Sequence, residues 1–232
     1  MIINKGNGYS KRVKKIISKY KDTDNPINAT YNFLKEVLNP NPERYDMIYR
    51  FDHSLRVAYR GKQIAEGEDW DIEPLVIACL LHDVGYPECK TLEELSNHPK
   101  ISAEIARDFL KTIHYDEKLI EEMCYAILIH DMFFDIPENA TPFALSVRDA
   151  DDLDRFDIIR GILTANNAIG ENNADDISVN CDKQLERIKS LYERKSGTDT
   201  AYKLWIENLK KREYLYRALK EQVNNTFNIS IE

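Results

Sequence analysis

The stretch ACLLHDVG, residues 78–85, carries a run of apolar side chains into the pair His82-Asp83. Ionisable groups at the end of such a run are costly to bury unless they are paired or bound to a metal. Imidazole nitrogens and carboxylate oxygens are also the donors that a divalent transition metal accepts. His53, in FDHSLRVA, is a second candidate beside the apolar stripe of Phe51, Leu55 and Ala58. Arg56 follows it by three residues on the same helical face. A guanidinium there could hold a phosphate next to a metal. Lys62, just under two turns beyond Arg56, is a further candidate for binding the same group.

Carboxylates gather in RDADDLD, residues 148–154. Like charges packed this densely cost helix stability unless something compensates. Helical phase puts Val147, Asp151, Asp154 and Ile158 on one face, joined by Ala150. Asp152 falls between Arg148 and Arg155 and reads as part of an exposed ion-pair face. Asp151 and Asp154 are therefore the inward candidates. His98 precedes Pro99, which opens a helix, and His130 ends the apolar run AILIH. Taken alone, each is more often a structural histidine than a ligand. His114, in KTIHYDE, has nothing convergent near it and reads as a surface residue.

Helices must position these groups, because almost every segment has helical spacing. Ser10–Tyr20 and Ala29–Leu38 read as amphipathic helices, followed by a third from Tyr45 to Ile64. Residues 71–85 predict a fourth, with Asp71 as N-cap, Pro74 in the first turn and Gly85 as its stop. The interior of that helix, Leu75–Leu81, is apolar all round, which places it in the middle of a domain. Ile101–Ile113, Glu117–His130 and Phe143–Leu163 continue the series, with Asp131–Pro142 as a loop. Asn166–Asn180 reads as a linker. Asp182–Arg194 and Thr200–Val223 then form a hairpin turning at Ser196-Gly197. The expected fold is all-α.

The bulk composition is that of a globular chain: 232 residues, 43% hydrophobic and 31% charged, with only eight Gly and eight Pro. A net charge of -8 argues against general nucleic-acid binding, which needs a basic face. No apolar stretch has the length of a signal peptide or a membrane span. The four cysteines lack CxxC spacing, and Cys79 and Cys124 read as buried small hydrophobes. These features set the expectation of a cytoplasmic protein without a membrane partner.

The ordered set of His53, CLLHDVG with His82-Asp83, and a downstream Asp in an Ala-Asp-x-Leu setting resembles the HD superfamily of metal-dependent phosphohydrolases. FDHSLRV, NHP and RDADDLD are similar to the small bacterial stand-alone HD hydrolases, which continue into a C-terminal helical hairpin. The resemblance implies an HD-domain helical bundle over residues 1–165, N-terminal helices included. Residues 166–232 would be a linker and a helical extension packed on that core. It implies His53, His82, Asp83 and Asp151 as metal ligands, choosing Asp151 because the family's ligand follows Ala. His98 and His130 occupy the places of the two extra histidines in two-metal members, where Asp83 would bridge the ions. Tyr86 departs from the Lys that many relatives carry shortly after the dyad's glycine. The triplet Gly85-Tyr86-Pro87 lacks the longer motif of the subgroup that cleaves cyclic dinucleotides.

The same resemblance implies hydrolysis of a phosphate ester or anhydride, with a nucleotide as the expected substrate class. The ligand set suits one or two divalent ions, Mn, Fe, Zn, Co, Ni or Mg. Asp83 and Arg56 are the expected catalytic residues; Arg56 and Lys62 are the expected contacts to substrate. Two other functions are compatible with the same residues: a di-iron oxygenase-type enzyme and a metal-bearing ligand sensor without catalysis. The C-terminal hairpin, with Trp205, Tyr214 and Tyr216, could close the domain or pair two copies into a homodimer.

Overall fold

The computed structural model describes residues 9–21, 23–132, 136–169 and 174–225. Among the described residues there are eleven α-helices, one 3-10 turn and no strand. None of these helices is long and apolar enough to cross a membrane. Contacts divide the chain into two units, Met1–Asp151 and Asp152–Glu232.

The first unit opens with α1 (Lys11–Ile17), whose first turn is capped by the Ser10 hydroxyl accepting from the Val13 N–H. α2 (Pro26–Leu38) begins with Asn25 as cap and Pro26 at its first position, where the missing N–H costs nothing. α3 (Tyr45–Gly67) and α4 (Ile72–Leu81) follow, the latter capped by Asp71 accepting from the Glu73 N–H. α4 packs against α2, α3 and the later helices α6 (His98–Thr112) and α7 (Glu117–Ile129). Every residue from Pro74 to Leu81 is buried, as the all-round apolar sequence requires. Each buried Leu or Ile there contributes about 2 kcal/mol of transfer free energy. α3 and α4 cross so closely that a Cβ at Gly61 would lie 2.6 Å from the Cys79 Sγ. That approach brings residues of α3 up to the end of α4.

Gly85 does not stop α4, which ends four residues earlier. Its φ of −79° is open to any residue. Its small size matters for another reason: a Cβ would lie 2.7 Å from the Ser102 backbone nitrogen, and its own N–H donates to the Ser102 Oγ at 2.9 Å. Gly85 therefore seats the segment after α4 directly on α6. That segment forms a 3-10 turn, Tyr86–Glu88, and then α5 (Leu92–Ser96), neither expected from periodicity. α5 is announced by a capping box, in which Thr91 accepts from the Glu94 N–H and Glu94 reaches back. α8 (Pro142–Arg155) closes the unit with its residues up to Asp151.

The second unit takes the end of α8, then α9 (Ile158–Ile169), α10 (Ala174–Leu191) and α11 (Asp199–Asn225). The single helix expected over Phe143–Leu163 is broken at Phe156-Asp157. There the Asp157 carboxylate accepts from the Arg160 N–H at 3.0 Å and so opens a new helix. The stretch read as a linker, 166–180, is helical up to Ile169 and again from Ala174; residues 170–173 lie outside those described. α10 and α11 pack against each other as a hairpin around the expected turn, and α9 packs on both. Trp205 is fully buried, donates its indole N–H to the Leu191 carbonyl and meets Phe156 edge-on at 5.1 Å.

Asp152 contradicts its reading as an exposed residue. It is 2% exposed and forms an ion pair with Arg194, with Arg155 a more distant 4.0 Å away. Its main partner lies 42 residues further along the chain. The periodicity of α8 alone therefore gave no sign of it.

Candidate metal centre

Six ionisable side chains converge inside the first unit. His53 comes from the middle of α3, His82 and Asp83 from the end of α4, His98 from the start of α6, His130 from the end of α7 and Asp151 from α8. None is more than 4% exposed. All six are marked by the sequence, and the fold brings them together.

Three of the histidines are oriented in the same way. Nδ1 of His82 lies 2.7 Å from the Cys79 carbonyl, Nδ1 of His98 2.7 Å from that of Leu95, and Nδ1 of His130 2.6 Å from that of Ile127. A carbonyl only accepts, so each Nδ1 carries the hydrogen. Each ring, when neutral, therefore presents a bare Nε2 inward. Helix ends make this possible, because the last carbonyls of a helix lack intrahelical partners. Leu95 belongs to α5, so the short helix missed in the sequence supplies the carbonyl that sets His98. His53 is steadied by Tyr49, one turn earlier, whose ring is parallel to it with centroids 5.9 Å apart.

The inward atoms fall into two sets around Asp83. In the first, the Nε2 atoms of His53 and His82 are 3.2 Å apart, and His53 Nε2 is 3.1 Å from Asp151 Oδ1. Oδ2 of Asp83 faces this set, 3.7 Å from His53 and 3.5 Å from His82. In the second, the Nε2 atoms of His98 and His130 are 3.3 Å apart. Oδ1 of Asp83 faces them at 3.1 and 3.6 Å. Two nitrogens bound about 2.0–2.1 Å from one ion, at angles between square and tetrahedral, lie about 2.9–3.4 Å apart. The donor spacings and the mixed N/O chemistry therefore fit a divalent metal in each set, with Asp83 offering one oxygen to each.

Burial opposes charge on Asp83. The close contacts of the His82, His130 and His98 rings outweigh it and hold the carboxyl well below its usual range. Burial dominates at His82 and, against the pull of Asp83, keeps that imidazole neutral. At His130 burial also favours the neutral ring, but the hydrogen bond and charge of Asp83 prevail and raise its pKa.

Arg50 was not foreseen. Its Nη1 donates to Asp83 Oδ2 at 2.7 Å, and its side chain is 25% exposed against 3% for the aspartate. Arg50 stands three residues before His53 as Arg56 stands three after it, so helical spacing marks the two equally. Arg56 is half-buried one turn beyond His53. Lys62 is exposed and pairs with Glu66 at 3.6 Å. Nine residues along α3 place it on the side opposite His53 and about 13 Å further along the axis. Asp149 is buried and bound by Arg148 at 2.7 Å, while Asp154 is buried in the second unit. His114 is exposed, as expected.

Residues 50–158 match the family model of the HD domain. Among solved structures, the chain is similar to a crystal structure described as a predicted HD superfamily hydrolase from an uncultured Thermotogales bacterium. The two share 23% sequence identity over 84% of this chain and 92% of that one, with a TM-score of 0.56. That likeness is one of fold. No curated protein matches the chain.

Proposed function

We propose that the chain is a metal-dependent phosphohydrolase acting on a phosphate ester or anhydride, with a nucleotide as the favoured substrate class. The observation that carries this reading is the division of Asp83, whose two oxygens face two separate sets of bare imidazole nitrogens. His53, His82, Asp151 and one oxygen of Asp83 would hold one divalent ion; His98, His130 and the other oxygen would hold a second. Such ions supply Lewis acidity, activating water at ordinary pH and offsetting charge on phosphoryl oxygens. The protein's own part is positional. Helix-end carbonyls fix three imidazoles, and burial excludes bulk water from the donors. Arg50, bound to Asp83 and partly exposed, presents its remaining N–H groups toward an anion arriving at the edge of the cluster. Arg56, on the neighbouring face of α3, is the second cation for the phosphoryl group.

Ligation requires neutral imidazole, so a proton held at His130 must leave when an ion is taken up. The raised pKa of His130 means that affinity at its set increases as pH climbs through the raised value and is lost as pH falls below it. Calorimetric metal titrations at two well-separated pH values, in buffers of different ionisation enthalpy, should show proton release that is greater at the lower pH and fades as pH climbs past the raised value. Equal heats in all buffers at both pH values would contradict this arrangement.

The purified chain can be tested against a panel of nucleotides and generic phosphoesters, each assayed with Mn, Fe, Co, Ni, Zn and Mg. Release of phosphate that depends on the metal supports a phosphohydrolase. Bound di-iron with oxygen uptake and no phosphate release would overturn it in favour of an oxygenase.

A further inference from the structure

The aromatic ring of Tyr86 touches both of the side chains that grip opposite oxygens of Asp83. The Arg50 guanidinium carbon lies 3.5 Å from its centroid, and the His98 ring lies 4.7 Å from it at an angle of 52°. Arg50 holds Oδ2 of Asp83 at 2.7 Å, and His98 meets Oδ1 at 3.1 Å. The position of the ring is itself fixed by backbone. Gly85 is pressed onto Ser102 of α6, and the Tyr86 N–H donates to the Asp83 carbonyl at 3.0 Å. A cation stacked on a ring keeps its plane, and a neighbouring ring packed obliquely against it keeps its tilt.

We propose that Tyr86 is a positioning residue for the metal centre: its ring sets Arg50 and His98 together and so fixes the orientation of the carboxylate shared by the two donor sets. This role rests on the two-ion centre proposed for the site and adds a residue outside the ligand set. The ring carries the effect. Phenylalanine keeps the platform, whereas leucine leaves the guanidinium and the His98 imidazole without it. The larger loss belongs to the His98–His130 set, because His98 is a donor there while Arg50 only steadies a donor of the other.

The test is calorimetric titration of the metal-stripped full chain with Mn²⁺ alone, for wild type, Tyr86→Phe and Tyr86→Leu, with helicity checked by circular dichroism. Wild type and Tyr86→Phe should take up two ions with affinities within about threefold of each other. Tyr86→Leu should keep one and bind the second on the order of 10-fold or more weakly, the range seen when groups that orient metal ligands are removed. Should Tyr86→Leu fail to fold, Tyr86→Gln serves as the ring-deleting variant with the same expectation. Unchanged uptake of both ions by the ring-deleting variant would overturn the inference while leaving the two-ion centre intact. So would equal losses in the Phe and Leu variants, which would shift the effect to the hydroxyl. A wild-type chain that binds no ion would overturn the two-ion centre, and this inference with it.

Discussion

Asp83→Ala is expected to abolish metal uptake and to lower phosphohydrolase activity by ~10³-fold or more, equivalent to about 4 kcal/mol of transition-state stabilisation. Among the described residues Asp83 alone has an oxygen on each donor set, so its loss removes a ligand from both at once. It also leaves Arg50 without its carboxylate. The change should not unfold the chain, because the histidines around it can remain neutral and the apolar packing of α4 is untouched. Asp83→Asn, which keeps the shape and removes the charge, should retain even more of the wild-type thermal stability and still lose the metal. Elemental analysis, a phosphate-release assay and a melting curve on the same preparation separate these effects. Either variant with full metal content and full activity would remove Asp83 from the centre.

The neighbouring pair Asp151 and Asp152 should divide function from stability. Asp151→Ala removes the carboxylate 3.1 Å from His53 Nε2. Activity should fall by ~10²-fold or more, with the first donor set weakened. Asp152→Ala instead breaks the buried ion pair with Arg194 in the second unit, where the aspartate is 2% exposed. Breaking such a pair typically costs about 3–5 kcal/mol, because a charge is left behind without its partner. The expected phenotype is a lowered melting temperature with metal uptake preserved in the folded fraction. Melting curves and metal analysis of both variants check this; loss of metal without loss of stability in Asp152→Ala would make Asp152, and not Asp151, the ligand from α8.

What the sequence revealed depended on whether the cause was local. α4 was legible because Leu75–Leu81 is apolar on every side and Asp71 stands where a cap belongs. Its histidine and aspartate were conspicuous because ionisable groups at the end of such a helix need a reason. The order of His53, His82-Asp83, His98, His130 and Asp151 was legible through a family resemblance, and helical phase alone had left Asp151 and Asp154 equal. Features set by distant partners were hidden. Asp152 looked solvent-facing because the neighbouring arginines of α8 offered it partners, while its strong partner, Arg194, lies on another segment. Arg50 and Tyr86 carry no motif in isolation; their importance comes from stacking on each other beside Asp83. The break at Asp157 and the short α5 did leave local traces. Asp157 caps α9, and Thr91 with Glu94 forms a capping box, a pattern readable at its spacing of three. Both were obscured by the longer apolar rhythm around them.

Anomalous diffraction from crystals of the Mn²⁺-loaded chain, with metal content measured on the same protein, bears most directly on the two-ion centre. Two anomalous peaks are expected, one among His53, His82 and Asp151 and one beside His98 and His130, with Asp83 between them. Protein that takes up no metal, or peaks lying away from Asp83, would contradict it.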